Sequence, residues 1–306
     1  MRKKNLITPV FVLLTGINLL FFIFRNSFQY EKQASLSSLY SSCDQDCFNK
    51  WAQYIHDYPD SEFNHAKIIS DSITASSKDV KEKLLALGSF LVRHFHSRLG
   101  RPSPSLLRAS PLAQFRLLSA SDTSQLWCGN FAEMFSFFCW SQGIVCRNVE
   151  IMNPGDRHVV NECYVEGNWV MVDLTSNFLF MVDEKDQPLG LAAFIDRIKN
   201  REPITIYTSN RDAVNTVLKY QLPYYYKSPW PYFSGQHPLM YYYRVNNEKI
   251  YSTTAKIFRY FLPVSWYEIN GGKKHSNLPF YLKEVFSFLW VISFFVFLIS
   301  RAKFKI

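Results

Sequence analysis

The sequence predicts an α+β domain between two transmembrane helices. Long apolar runs without charged residues lie near both ends of the chain, and between them an apolar helical run is followed by three short strand-like runs. Separate blocks of helix and antiparallel strand are typical of the α+β class. The composition, with 48% hydrophobic and 17% aromatic residues, excludes general disorder of the 306-residue chain.

The positive charge of the chain lies mostly beside the two apolar runs. The formal net charge is +9, and six basic residues near the termini leave only +3 for the rest of the chain. These six residues are Arg2, Lys3, Lys4, Arg301, Lys303 and Lys305. Proteins that bind nucleic acids cluster their basic residues on one face, so we predict no nucleic-acid partner.

The first apolar run, residues 6–24, contains 19 residues without a charge. As a helix rising about 1.5 Å per residue, it is long enough to cross a hydrocarbon core of about 30 Å. It is longer than the apolar region of a secretory signal peptide, and no cleavage site of the A-x-A kind follows it. We therefore predict an anchor rather than a cleaved signal.

The second apolar run, residues 285–300, contains 16 residues, which is short for a span. Lys283 and Glu284 precede it and can extend outward to the membrane surface. The alternative is a buried core helix. Its all-round apolar character and its basic flank favour a membrane span.

Basic residues beside a membrane span favour the cytoplasmic side, so both termini are predicted to be cytoplasmic. The chain between the spans would then lie outside the inner membrane of a bacterium, in the periplasm or at the cell surface. The predicted regions are a transmembrane anchor (1–26), a helical lead-in (27–78), a core (79–200), an aromatic-rich region (201–282) and a transmembrane helix with a basic tail (283–306).

Apolar spacing and turn residues divide the middle of the chain into short elements. We predict helices over 47–58, 79–99, 128–142 and 192–200, and strands over 144–152, 158–166 and 169–175. Pro154 and Gly155 separate the first two strands, and Gly167 and Asn168 separate the last two. Residues 220–267 are rich in Tyr, Trp and Phe, which suits a packing layer near the membrane or a platform for carbohydrate rings.

Three residues along these elements have the chemistry of a nucleophilic site. Cys128 lies at the start of a predicted helix, where the helix dipole favours the thiolate. His158 begins the second strand and Asp173 lies near the end of the third. We expect the helix to pack on the face of the meander that carries His158 and Asp173. The three residues would then serve as nucleophile, general base and orienting carboxylate.

The runs WCGNFAEMFSFFCWSQGIVCRNVEI and RHVVNECYVEGNWVMVDLT resemble the core of the transglutaminase-like superfamily, over about residues 80–180. That superfamily includes transglutaminases, microbial proteases and peptide:N-glycanases. The positions that carry the resemblance are Cys128, Ala132, Gly143, Ile144, Arg147, His158, Trp169 and Asp173. The resemblance implies a papain-related α+β fold and acyl transfer through a thioester. Val159 and Val160 replace aromatic residues often found after the histidine, a departure that bears on substrate preference.

The expected function is that of a membrane-anchored, extracytoplasmic cysteine enzyme. It would attack a carboxamide or peptide carbonyl of a protein, peptide or envelope amide, by hydrolysis or by transfer to an amine, and it would need no cofactor. The oxyanion would be bound by the Cys128 backbone N–H and by Gln125 or Trp127. The alternatives are a non-catalytic envelope scaffold and a sugar-processing enzyme that binds carbohydrate through its Tyr-rich region.

The six cysteines suggest a division of roles. Cys128 must stay free to react, and Cys139 is expected to be free, buried and inert. In a symmetric hairpin, Cys146 faces Cys163, so the pair forms either a disulfide on the face away from His158 or two buried thiols. The last two residues, Cys43 and Cys47, are close enough in sequence for a local disulfide. They lack a second ligand pair, so we predict no metal site.

Overall fold

The structure is a computed structural model that describes residues 7–24, 31–33, 42–52, 59–153, 156–210, 213–216, 239–242, 266–269 and 278–303. The chain divides into two compact units. One unit holds the two terminal apolar helices, and the other holds the helices and sheets that lie between them in sequence.

The helices are α1 (Ile7–Ile23), α2 (Gln45–Ala52), α3 (Asp60–Thr74), α4 (Val80–Phe95), α5 (Pro104–Arg108), α6 (Pro111–Ser119), α7 (Cys128–Ser141), α8 (Leu191–Asn200) and α9 (Leu278–Lys303). The strands are β1 (Glu31–Gln33), β2 (Cys146–Asn153), β3 (Asp156–Val165), β4 (Asn168–Val172), β5 (Phe180–Val182), β6 (Ile204–Tyr207), β7 (Ala213–Thr216), β8 (Leu239–Tyr242) and β9 (Trp266–Ile269). Together they form a mixed α+β fold.

The predicted meander forms the second half of a larger sheet. In the six-stranded sheet the order is β1-β9-β8-β2-β3-β4, and β5-β6-β7 form a second sheet. Strands β2 and β3 are antiparallel, with Cys146 opposite Cys163 and Asn153 opposite Asp156, which is the register that a symmetric hairpin predicts. Because side chains alternate between the two faces of a strand, this register decides which residues of β3 meet helix α7.

Helix α7 has defined signals at both ends. At its start, the side-chain oxygen of Asn130 accepts a hydrogen bond from the backbone N–H of Trp127 at 3.1 Å. At its end, Gly143 adopts a left-handed φ of +70°, and the N–H of Ile144 donates to the carbonyl of Cys139 at 2.9 Å. Only glycine adopts this backbone conformation without strain, so the helix stops where the sequence predicted.

Helix α7 packs on the face of the sheet that carries the odd-numbered residues of β3. The Asn161 amide donates to the carbonyl of Ala132 at 3.1 Å and to the Ser136 hydroxyl at 2.9 Å. Cys163 lies on this same face, against α7. Our expectation that the Cys146–Cys163 pair would lie on the face away from the helix is therefore wrong. The alternation of side chains along a strand predicts which residues share a face, but it does not predict which face the helix covers.

Helices α3 and α4 also pack against α7. Helix α4 begins at Asp79, whose side chain accepts a hydrogen bond from the N–H of Glu82 at 2.7 Å, and its buried face joins the same apolar cluster as α7. Helix α3 contacts the end of α7 through hydroxyls of Ser70 and Ser141 that are 2.7 Å apart. The predicted lead-in thus contains a helix that belongs to the packed domain.

The terminal helices α1 and α9 contact each other through polar side chains. Asn18 donates to the carbonyl of Phe286 at 3.3 Å and accepts from Ser287 at 2.9 Å. The Trp290 indole N–H donates to the Thr15 hydroxyl at 2.9 Å. Within the described residues, 278–300 are long and apolar enough to cross a membrane, whereas α1 is a shorter apolar helix of 17 residues.

Several predictions can be compared with the described residues. The helix predicted over 47–58 is observed as α2, and residues 53–58 lie outside the described residues. The helix predicted over 192–200 is observed as α8. Most of the aromatic-rich segment 220–267 also lies outside the described residues, so its two interpretations remain predictions.

Candidate functional site

His158 and Asp173 form a buried pair at the edge of the meander. The Nε2 atom of His158 donates to Oδ2 of Asp173 at 3.0 Å, and their side chains are fully buried. His158 lies near the start of β3, and Asp173 follows the last residue of β4. The two strands are adjacent and antiparallel, so the hairpin brings the two side chains together. This is the juxtaposition that the sequence predicted.

The Asp173 carboxylate is held from three directions besides His158. Its Oδ1 accepts the backbone N–H groups of Thr175 at 3.0 Å and Ser176 at 3.2 Å. Its Oδ2 also accepts the Ser176 hydroxyl at 2.6 Å. Asp173 thereby caps the short 3₁₀ helix Leu174–Ser176. Ser176 was not predicted from the sequence, although Asp is a residue type that commonly caps a helix and so indicated a short helical turn after Asp173.

The carboxylate changes the protonation of the histidine. Burial lowers the pKa of His158, but the charge of Asp173, its hydrogen bond and a hydrogen bond with Cys128 outweigh this effect and raise the pKa to about 10. His158 therefore carries a positive charge at neutral pH, next to the cysteine.

Cys128 is the first residue of α7 and is partly exposed. Cys128 contributes to the raised pKa of His158, so its thiol lies near the imidazole, whose Nε2 atom is taken by Asp173. Amides in the first turn of a helix have no acceptor within the helix, so the Cys128 N–H can donate to a bound carbonyl oxygen. The three residues thus form a path from a solvent-accessible sulfur to a buried carboxylate.

The two oxyanion candidates have different surroundings. The Gln125 side-chain amide lies over Gly100, at a distance of 2.6–2.7 Å from where a β-carbon would stand. The chain there is fixed by reciprocal backbone bonds between residues 98–100 and Leu126. Trp127 directly precedes the nucleophile, and its side chain is 48% exposed. Both residues remain candidates for the second oxyanion donor.

Arg147 and Trp169, two further positions of the resemblance, lie in a buried cluster. Arg147 donates to Glu162 from Nε at 2.9 Å and from Nη2 at 2.7 Å. Its guanidinium carbon lies 3.6 Å from the centre of the Trp169 ring. The other oxygen of Glu162 accepts the N–H of Leu191 at 2.6 Å, at the start of α8. This cluster links β2, β3 and α8, so Arg147 and Trp169 contribute to the packing of the fold.

The remaining cysteines follow the predicted division in part. Cys43 and Cys47 form a disulfide, as proposed from their spacing. Cys139 is buried and free. Cys146 and Cys163 face each other in the predicted register, but they are free thiols with sulfur atoms 3.3 Å apart, so the structure has no bridge where one was considered. Cys139 approaches both, and this group of three was not foreseen.

Comparison with known proteins gives a family-level match for the segment that contains this site. No curated protein matches the chain by sequence. A solved structure similar to part of the chain is that of a protein from Cytophaga hutchinsonii named as a putative cysteine protease. The two share 20% identity with a TM-score of 0.30, and the match covers 37% of each chain. Residues 67–174, which contain Cys128, His158 and Asp173, match the transglutaminase-like superfamily, and the resemblance seen in the sequence is confirmed for this segment.

Proposed function

We propose that the chain is a cysteine enzyme in which Cys128, His158 and Asp173 act as a catalytic triad on an amide or peptide carbonyl. The observation that carries the proposal is that the buried imidazole of His158 hydrogen-bonds the Asp173 carboxylate and lies near the Cys128 thiol, which contributes to its raised pKa. Cys128 alone of the three is accessible to solvent. A nucleophile at the surface, backed by a buried base and a fixed acid, is the arrangement that acyl transfer requires.

The reaction would proceed in two halves. The Cys128 thiolate attacks the carbonyl carbon, and the resulting oxyanion is stabilised by the Cys128 N–H and a second donor. The C–N bond breaks as His158 gives its proton to the leaving amine, which leaves a thioester on Cys128. Water or a second amine then attacks the thioester, His158 takes a proton from it, and the thiolate is released. Water gives hydrolysis, and an amine gives amide exchange.

Asp173 would position His158 rather than contact the substrate. Its four hydrogen bonds fix the carboxylate, and the bond to Nε2 holds the imidazole in one orientation. Since both groups are buried, solvent does not compete for these bonds. The electrostatic influence of Asp173 on His158 is therefore strong.

The proposal is tested by alkylation of the full-length chain followed by peptide mapping. Cys128 should react with iodoacetamide at neutral pH much faster than free cysteine, and the rate should fall when His158→Ala removes the imidazole. Cys139 serves as the internal control, because it is free but buried. Slow alkylation of Cys128 that does not depend on His158 would favour a non-catalytic scaffold.

Turnover is tested with candidate amide substrates from envelope extracts, followed by mass spectrometry. Wild-type protein should release an amine from its substrate, and Cys128→Ala should not. Added primary amine distinguishes the two outcomes of the second half-reaction, because a transferase incorporates the amine and a hydrolase forms the free acid.

The second oxyanion donor is identified by comparing two variants. Loss of one such donor costs about 10²–10³ in kcat. Gln125→Ala or Trp127→Phe should show this loss if its side-chain N–H binds the oxyanion, and the other variant should retain most of the activity. Trp127→Phe keeps an aromatic ring and removes the indole N–H together with part of the ring system, so its stability is measured alongside its activity.

We also propose that α1 and α9 anchor the enzyme as a membrane hairpin. Large apolar side chains on both helices are exposed, including Val12 at 61% and Phe288 at 67%, while polar groups such as Asn18 and Ser287 bond to each other between the helices. Apolar residues outside and hydrogen bonds inside are typical of helices that associate in lipid. The basic residues at both termini favour a cytoplasmic position for each end.

This topology is tested by adding protease to intact spheroplasts. The domain between the two helices should be degraded while a cytoplasmic control protein survives. If the domain is protected as fully as the control, the orientation is wrong, and extraction of the chain by carbonate would contradict the anchor itself.

A further inference from the structure

Three cysteines converge in the core at a place that the proposed triad does not use. Cys139 comes from α7, Cys146 from the start of β2 and Cys163 from β3. Their sulfur atoms all lie within 4.8 Å of one another, and the three side chains are fully buried. The group therefore joins the helix that carries the nucleophile to the hairpin that carries His158.

The spacing of the three sulfurs suits a single metal ion. Three points 4.8 Å apart have a common centre about 2.8 Å from each, and a zinc–thiolate bond is about 2.3 Å. The separation of 3.3 Å between Cys146 and Cys163 is already shorter than 4.8 Å. Movements of a few tenths of an ångström in the side chains would bring all three sulfurs to bonding distance, without a change in the strands.

Polar side chains lie beside the Cys146 sulfur. The Ser136 hydroxyl lies 3.6 Å from that sulfur and donates to the side-chain oxygen of Asn148 at 2.6 Å. The Asn161 amide donates to the side-chain oxygen of Asn148 at 2.7 Å. Asn148 therefore keeps one hydrogen bond when the Ser136 hydroxyl turns toward the sulfur. Polar donors directed at a buried sulfur are typical of the groups that support metal ligands.

Three thiolates in an apolar core require a compensating positive charge. Arg147 is next to Cys146 in sequence, but its guanidinium is engaged by Glu162 and Trp169. A bound Zn(II) ion would offset two of the three negative charges, and a bound Cu(I) ion one. Thiolate ligands select soft ions such as Zn(II) and Cu(I) over hard ions such as Mg(II) and Ca(II).

We propose that Cys139, Cys146 and Cys163 bind one thiophilic metal ion, Zn(II) or Cu(I), as a structural site. On binding, each thiol releases one proton and forms one sulfur–metal bond, and the metal is neither oxidised nor reduced. The site pins α7 to β2 and β3. Because the sulfurs are fully buried, the ion enters while the domain folds or during a local opening of α7 from the sheet.

The test uses the full-length chain in detergent, purified with reductant and stripped with a chelator. Zn(II) or Cu(I) is added alone to separate samples, and bound metal is measured after gel filtration, together with the unfolding temperature. We expect one metal ion per chain, release of protons on binding and a raised unfolding temperature with at least one of the two ions. The better ion is the one that remains bound in competition with the other.

Three variants assign the site. Cys128→Ala, on the same helix, is the matched control and should bind the metal as wild type does. Cys139→Ala should bind at least about 100-fold more weakly, because it loses a ligand. Should that variant fail to fold, Ser136→Ala, which keeps all three ligands, should weaken affinity about 10- to 100-fold.

Two results would overturn the proposal. One is that neither ion is retained by the wild-type chain and neither raises its unfolding temperature. The other is a Cys146–Cys163 disulfide in non-reducing peptide maps of freshly purified protein, since these two sulfurs would then be unavailable to a metal.

Discussion

Helix α7 presents two cysteines in opposite environments. Cys128 begins the helix, is partly exposed and meets a charged histidine. Cys139 lies three turns later, is fully buried and meets two other sulfurs. The proposed roles of the two cysteines, a nucleophile at one end of the helix and a structural group at the other, rest on this difference. Exposure and the nearest charge, rather than residue type, separate the two roles.

The largest expected effect comes from Cys128→Ala. Without the nucleophile, activity should fall by about 10⁴-fold or more. The free energy of unfolding should change by less than about 0.5 kcal/mol, because the side chain lies at the edge of the core. Turnover and chemical denaturation measure the two quantities. The contrast between the two cysteines breaks down if Cys139→Ala loses as much activity per folded molecule as Cys128→Ala.

Asp173→Asn should reduce activity by about 10²- to 10⁴-fold while the fold is retained. It should also move the alkaline limb of the pH profile. In wild type, burial lowers the pKa of His158 but Asp173 raises it to about 10, so the imidazolium persists until the pH rises through that value. Without the carboxylate charge the pKa falls, so activity should be lost at a lower pH.

A pH profile of kcat/KM for both proteins checks this direction. The stability that the charged pair contributes follows the same sign, being complete below about pH 6.5 and lost as the pH rises through the folded value. If the alkaline limb of the pH profile is unchanged in Asp173→Asn, Asp173 does not set the pKa of His158.

Glu162→Gln should affect stability rather than chemistry. It leaves the Arg147 charge buried beside a neutral partner, a change that costs about 3–5 kcal/mol. Activity per folded molecule should stay close to wild type. Lys67→Gln is the matched control, because the Lys67–Asp71 pair is exposed and its loss should change stability little. Urea denaturation of both variants decides the point, and equal effects would contradict the structural role of the buried pair.

The smallest effect is expected for Cys139→Ala in metal-free protein. Removal of one buried sulfur leaves a small cavity, with a cost of about 1–3 kcal/mol. Activity per folded molecule should be retained. If Cys139→Ala lowers the stability of metal-loaded protein but not of metal-free protein, Cys139 contributes through metal binding rather than through packing.

The sequence was sufficient for the local elements and for pairings within the hairpin. Gly143 marked the end of α7, and the symmetric hairpin placed Cys146 opposite Cys163. His158 and Asp173 followed from the same meander. These features depend on short-range geometry, which residue spacing records.

Long-range packing was harder to predict from the sequence. The face of β3 that α7 covers depends on packing across the whole sheet, and placing the helix on the wrong face hid the approach of Cys139 to the two strand cysteines. Strands β8 and β9, which extend the sheet beyond β2, come from a distant part of the chain with no periodic signal of their own. Spacing along the chain does not encode such contacts.

The unequal exposure of the three site residues has a consequence for proton movement. His158 and Asp173 are sealed from solvent, and Cys128 is the only one of the three that water reaches. The proton shared by His158 and Asp173 should therefore exchange slowly with deuterated solvent, with its own resonance far downfield in the proton NMR spectrum. In the proposed mechanism, His158 would lose its proton to the departing amine and regain one from the incoming water or amine, so proton transfer and product release would both take place at the exposed thiol of Cys128.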